Sequence, residues 1–149
     1  FMLLVTSAFP STDDVEAWLR VQTGGSSWQT SGYEYSVLTH NRGGGAPDNV
    51  ASSSDAKIKL SQANGTSLGV GNGTGKNFNA RIHFSDPDAS QFCNFWFSAT
   101  NNRAFDNTIT MCEGGGQYST SGAITGVRFM FSSGNIASGR FSLYGYLKS

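Results

Sequence analysis

Apolar and polar residues alternate with a period of two along most of this chain, the pattern of half-buried β-strands. Val15, Ala17, Leu19 and Val21 alternate with Glu16, Trp18, Arg20 and Gln22. Asp13 to Leu19 also admits a helix entered through Pro10, Ser11 and Thr12, but the alternation fits a strand better. Tyr33 to His40 sets Tyr33, Tyr35 and Val37 against Glu34, Ser36 and Leu38, and Phe78 to Ser85 sets Phe78, Ala80, Ile82 and Phe84 against Asn79, Arg81 and His83. Phe1 to Thr6 reads as a first strand. Phe92 to Thr100 and Thr108 to Glu113 predict a hairpin around Asn101-Asn102-Arg103. Val127 to Ser132 and Arg140 to Leu147 predict a closing pair, with Phe141, Leu143 and Leu147 alternating against Arg140, Ser142, Tyr144 and Tyr146. On this reading the chain ends inside a sheet, and Leu143→Asp would unfold it by burying an unpaired charge.

Turn residues punctuate these runs. Gly24-Gly25 turns the chain, and Asn41 to Ser54, polar and containing three consecutive glycines, reads as a long loop. Lys57 to Ser61 and Ser67 to Val70 are short strand candidates around Asn64-Gly65. Gly71 to Lys76 reads as a flexible connection, Pro87 as a stop, and Gly114-Gly115-Gly116 as a break in the sheet. The sum is an all-β chain: a jelly-roll-like antiparallel β-sandwich of nine or ten short strands, forming a single domain over residues 1–149. No internal repeat and no linker divides it. A first residue of Phe rather than Met leads to the expectation that upstream residues are missing.

Composition supports strands over helices: the 149 residues are 13% aromatic, with eleven Phe and nineteen Gly. Ten basic and ten acidic side chains leave no net charge, so no field attracts nucleic acid or an anionic membrane. No apolar run is long enough to cross a bilayer as a helix. The Gly-rich stretch from Gly69 to Lys76 fails both phosphate-binding patterns. A P-loop would need Gly at Val70 and Ser or Thr at Asn77, and a dinucleotide loop would need Gly at Lys76. The sequons at Asn64 and Asn72 read as ordinary turns.

Candidate chemistry is sparse. Cys93 and Cys112 would face each other if the hairpin turned about Asn102-Arg103; two reduced, partly buried thiols are preferred, with a disulfide as the alternative. His40 and His83 come from separate strands, with no nucleophile-elbow pattern beside a candidate serine. Asp13, Asp14 and Glu16, and Asp86 and Asp88 around Pro87, lack the spacing of a Ca²⁺ loop. No cofactor or metal is expected. Trp96 shares its inferred hairpin face with Phe92, Ile109 and Met111, a core pattern. Trp28, Tyr33 and Tyr118 are the first candidates for glycan stacking, and Tyr144 and Tyr146, on one face with Arg140, suit a partner interface.

The closing stretch Ser133-Gly-Asn-Ile-Ala-Ser-Gly-Arg-Phe-Ser-Leu-Tyr-Gly-Tyr-Leu147 resembles an ending found among bacteriophage particle proteins, in which "F-S-S-G-N-I-A-S-G" runs into "L-Y-G". Pro10-Ser-Thr-Asp-Asp-Val-Glu-Ala-Trp-Leu-Arg20 is similar to their "P-x-T-D-x-x-x-L-x-L-R" strand entry. Gly24-Gly-Ser-Ser-Trp-Gln-Thr-Ser-Gly-Tyr-Glu-Tyr35 and Gly122-Ala-Ile-Thr-Gly-Val-Arg-Phe-Met-Phe-Ser132 resemble two further stretches. The likeness covers both ends and leaves residues 41 to 77 unmatched. In such sequences a further strand precedes the "P-x-T-D" stretch, whereas only Phe1 to Phe9 does so here.

The resemblance implies a virion structural protein of the tail or tail fibre, or else a capsid decoration protein, and transfers no catalytic residue. The expected partners are other virion proteins and further copies of the chain, a trimer above other homo-oligomers. The expected location is the virion, assembled in the bacterial host cytoplasm. The alternative is a carbohydrate-binding module that touches a host surface glycan. An enzyme, the class not favoured, would need facing carboxylates among Asp86, Asp88, Asp106 and Glu113.

Overall fold

The computed structural model describes residues 1–42, 47–61, 69–85 and 91–146. Ten strands lie among them: β1 (Met2–Pro10), β2 (Ala17–Thr23), β3 (Tyr33–Asn41), β4 (Asp48–Asp55), β5 (Ile58–Lys59), β6 (Phe78–Phe84), β7 (Cys93–Asn102), β8 (Ile109–Tyr118), β9 (Ile124–Phe131) and β10 (Ile136–Tyr144). They form an antiparallel all-β sandwich of two unequal sheets, a large one in the order β10-β1-β6-β7-β8-β3-β4 and a small one in the order β5-β2-β9. The chain changes sheet repeatedly, for example from β1 to β2, β2 to β3, β8 to β9 and β9 to β10.

Strict alternation puts one face of each central strand in the core. Leu19 and Val21 of β2, Tyr33 and Val37 of β3, Ile82 of β6 and Phe97 of β7 are all buried. Phe129 and Phe131 complete the small sheet's inner face, with Phe129 stacked on Phe78 across the sandwich at 5.4 Å. Tyr33 is buried with its polar end satisfied: its hydroxyl accepts from Val21 N–H at 2.9 Å and donates to Gln29 O at 3.2 Å.

Burial pushes the Tyr33 phenol up to about 12, against the smaller opposing effect of the Val21 hydrogen bond. Tyr35 shifts in the same direction through burial and its hydrogen bond to Asp55. A raised folded-state value stabilises the fold below the unfolded phenol's ordinary range near 10 and is lost as pH climbs through the folded value. The urea midpoint is therefore expected to hold level up to about pH 10 and to fall between about 10 and 12. Tyr33→Phe should flatten part of that slope while costing about 1–3 kcal/mol at neutral pH, because the buried Val21 N–H loses its acceptor.

Four expectations are corrected. Asn41 to Ser54 is not all loop, because Asp48–Asp55 forms β4, which among the described residues pairs with β3 alone at the sheet's edge. Its Ser and Asn residues are largely exposed, so the strand carries no apolar alternation; polar edges of this kind discourage edge-to-edge association. Gly114-Gly115-Gly116 does not break the sheet but runs inside β8, between β7 and β3.

The hairpin is longer than predicted and its register differs. Asn102 pairs with Ile109, and Asp106 closes the turn by accepting from Thr108 N–H at 3.0 Å and pairing with Arg103 at 2.8 Å. In this register Cys93 opposes Tyr118 and Cys112 opposes Ala99, so the two thiols are not bridged to each other. Both are buried, and burial pushes the Cys93 thiol up.

β9 and β10 are not a closing pair either. β9 pairs with β2 in the small sheet and β10 with β1 in the large one. Their connection crosses between the sheets beside the β1–β2 connection and is fastened to it, with Ser11 N–H on Asn135 O at 2.9 Å and Asn135 N–H on Ser11 Oγ at 2.8 Å. Gly134 sits there at φ 69°, and a Cβ would come within 2.6 Å of Ser11 Oγ. Asn64-Gly65, Asp86, Pro87, Asp88 and Leu147 lie outside the described residues.

Candidate interaction surfaces

The unequal sheets leave one inner edge open. β10 continues the large sheet beyond β1, but the small sheet ends at β9. Phe141 and Leu143 stand opposite Val5 and Leu3 on β1 and face the same inward side. Val5 is fully buried, whereas Phe141 is 43% and Leu143 57% exposed, because among the described residues no strand of the small sheet lies beyond β9 to cover them. The result is a pair of adjoining apolar hollows that share Val127 of β9. One is bounded by Phe1, Phe84, Ile124 and Leu143, the other by Leu3, Phe129, Ile136 and Phe141. Within the second hollow, Phe129 reaches Phe141 at 5.6 Å between ring centroids. Leu143 is therefore a partly solvated residue of an edge strand, not the interior position expected.

Trp28 borders the second hollow, half-buried, with Arg128 over its ring at 5.8 Å. Tyr33 and Tyr118 cannot serve as stacking platforms: both are buried, ring against ring at 5.3 Å. Tyr144 and Tyr146 are exposed.

The outer face of the large sheet holds apolar residues whose pattern in the sequence predicts a place in the core. Trp96, Phe92, Ile109 and Met111 are 55%, 47%, 50% and 40% exposed. Trp96, Ile109 and Met111 do share a face, but Cys93, Phe95, Phe97 and Ala99 occupy the buried one. His83 of β6 is Trp96's cross-strand neighbour.

A third surface, the outer side of the small sheet, is closed by its own ion pairs. Glu16 accepts from Trp18 Nε1 at 2.6 Å and pairs with Lys59 at 2.8 Å, while Lys57 lies over the Trp18 ring and pairs with Asp55. Burial pushes the Asp55 carboxyl up, but hydrogen bonds from Lys57, Tyr35 and Ala56 outweigh it and hold the group below its ordinary value. These contacts are internally satisfied and fix the β4–β5 corner.

Two other carboxylates fasten separate connections together: Asp13 accepts from Asn72 N–H at 2.7 Å and Asp14 from Gly69 N–H at 2.9 Å. Among the described residues no group of three or more His, Cys, Asp or Glu side chains is placed to hold a metal ion. Among them, too, no helix is long and apolar enough to cross a membrane. No family model, no curated protein and no solved structure matches this chain.

Proposed function

We propose that this chain is a structural protein of a bacteriophage particle, acting by adhesion to other particle subunits and to further copies of itself. The observation that carries the reading is a coincidence of place. The stretch whose pattern resembles virion proteins folds as β10, and β10 is the strand whose inward side chains Phe141 and Leu143 lack cover. Half-exposed side chains of this size gain about 1 kcal/mol each on full burial, a modest contact that repetition around a ring multiplies.

The hollows belong to an edge that no two-fold partner is needed to match. A strand from a neighbour can extend the small sheet beyond β9 and lie over β10, a head-to-tail contact whose smallest closed ring has three members. Tail or tail fibre is preferred to capsid decoration, following the proteins that the ending resembles.

The test is the protein inventory of gradient-purified particles. Peptides of this chain should sediment with intact particles in constant ratio to the other structural proteins. Recovery from the infected lysate but not from the particles would overturn the proposal.

A further inference from the structure

On the outer face of the large sheet, Met2, His83, Trp96, Gly115 and Ser36 stand in one cross-strand row over β1, β6, β7, β8 and β3. Side chains within such a row are direct neighbours. The His83 and Trp96 rings are parallel within 3° with centroids 4.6 Å apart. Tyr146 extends the stack beyond His83, its ring within 7° of the imidazole at 6.4 Å and its hydroxyl 2.9 Å from Nδ1. The indole is thus held in a defined orientation while more than half of it stays in solvent.

The next position in the row is Gly115, which carries no side chain, so the stack stops at Trp96. At Gly115 a shallow trough opens, lined by Glu34, Ser36, Ser52, Asn94 and Gln117. Gln117 Nε2 donates to Glu34 Oε2 at 3.0 Å, which orients the carboxylate across the trough. Asn94 lies two residues before Trp96 on the same face of β7.

An oriented, exposed indole beside amides, hydroxyls and one carboxylate suits a ligand with an apolar face and a polar rim. A pyranose has both: its C–H face stacks on an aromatic ring, and its hydroxyls exchange hydrogen bonds with amide and carboxylate groups. Charge narrows the class. Among the described residues no Lys or Arg lines the trough, and Glu34 would repel a sugar acid or a phosphate. We infer that Trp96 and the Gly115 trough form a binding site for a neutral glycan, with the sugar ring on Trp96 and its hydroxyls toward Glu34, Asn94 and Gln117. The site lies on the opposite face of the large sheet from the β10 hollows and stands independently of the assembly proposal.

The experiment titrates the intact chain with neutral hexose and N-acetylhexosamine oligosaccharides and with uronic- and sialic-acid oligosaccharides. Tryptophan fluorescence and saturation-transfer NMR report binding. At least one neutral member should bind, and none of the acidic ones. Trp96→Ala should weaken binding by about tenfold or more, as expected for the loss of one stacking contact. Glu34→Gln should weaken it less, and Trp28→Phe should leave it unchanged. Circular dichroism of Trp96→Ala should match the parent, because the side chain is not part of the core. Silence across the neutral panel would overturn the inference, as would binding of acidic members alone or a Trp96→Ala variant that binds like the parent.

Discussion

Gly116→Val is expected to abolish the folded state. Gly116 lies on the inward face of β8, opposite Tyr35 of β3 and Phe95 of β7. A Cβ there would collide with the Glu34 carbonyl oxygen and come within 2.8 Å of Tyr35 Cα. Both obstacles are backbone, so no side-chain rotation relieves them, and the strands must separate. Gly114, two residues earlier, is similarly crowded, with a Cβ 2.6 Å from Ser36 O and 3.0 Å from the Phe97 ring. These inward glycines let the aromatic side chains of β7 and β3 fill the space above them. Prising β8 from β3 in the middle of the large sheet should cost about 3 kcal/mol or more, a large share of a small domain's stability. Loss of the cooperative urea transition would confirm this. A variant with the parental midpoint would show that β8 does not lie flat between its two neighbours.

Leu19→Asp and Leu143→Asp should have opposite outcomes although both replace a strand leucine by a charge. Leu19 is fully buried in the middle strand of the small sheet, with β5 and β9 on either side. An aspartate there would be ionised without a partner in the core, at a cost of several kcal/mol, and the domain should not fold. Leu143, at the solvent edge of β10, places the same carboxylate in water, and the expected change is within about 1 kcal/mol. Circular dichroism melts of the two variants should separate them plainly. An unfolded Leu143→Asp variant would mean that β10 is covered within the single chain.

The strands legible in the sequence are those with one apolar face and one polar face. Val15 to Val21, Tyr33 to Val37 and Phe78 to Phe84 alternate cleanly, and every inward residue predicted from them is buried. The β7–β8 hairpin misleads because Trp96 of β7 with Ile109 and Met111 of β8 makes its outward face look as apolar as the face of Phe95 and Phe97, although Asn94, Ser98 and Thr100 on that outward face are polar. Alternation groups residues into faces but does not say which face meets the core. β4 was illegible because an exposed edge strand of Ser and Asn buries too little for alternation to develop.

Register was lost to turn chemistry. Asn101-Asn102-Arg103 carries a turn signal, yet the chain continues in strand to Asn102 and turns where Asp106 caps Thr108 and pairs with Arg103. The closing strands were misassigned for a topological reason. Nearness in sequence suggests pairing, but the bonds between Ser11 and Asn135 tie the β9–β10 connection to the β1–β2 connection, so each strand follows a different partner. The Trp96 surface was hidden by the same ambiguity. Its one sequence signal was the glycine at 115, whose meaning depends on the register.

The measurement that bears most directly on assembly through the uncovered β10 edge is molar mass in solution, by light scattering, for the parent chain and Leu143→Asp side by side. The account predicts a parent of three copies or more and a variant that is a single folded chain. Equal masses for the two proteins, or a parent that stays monomeric, would contradict it.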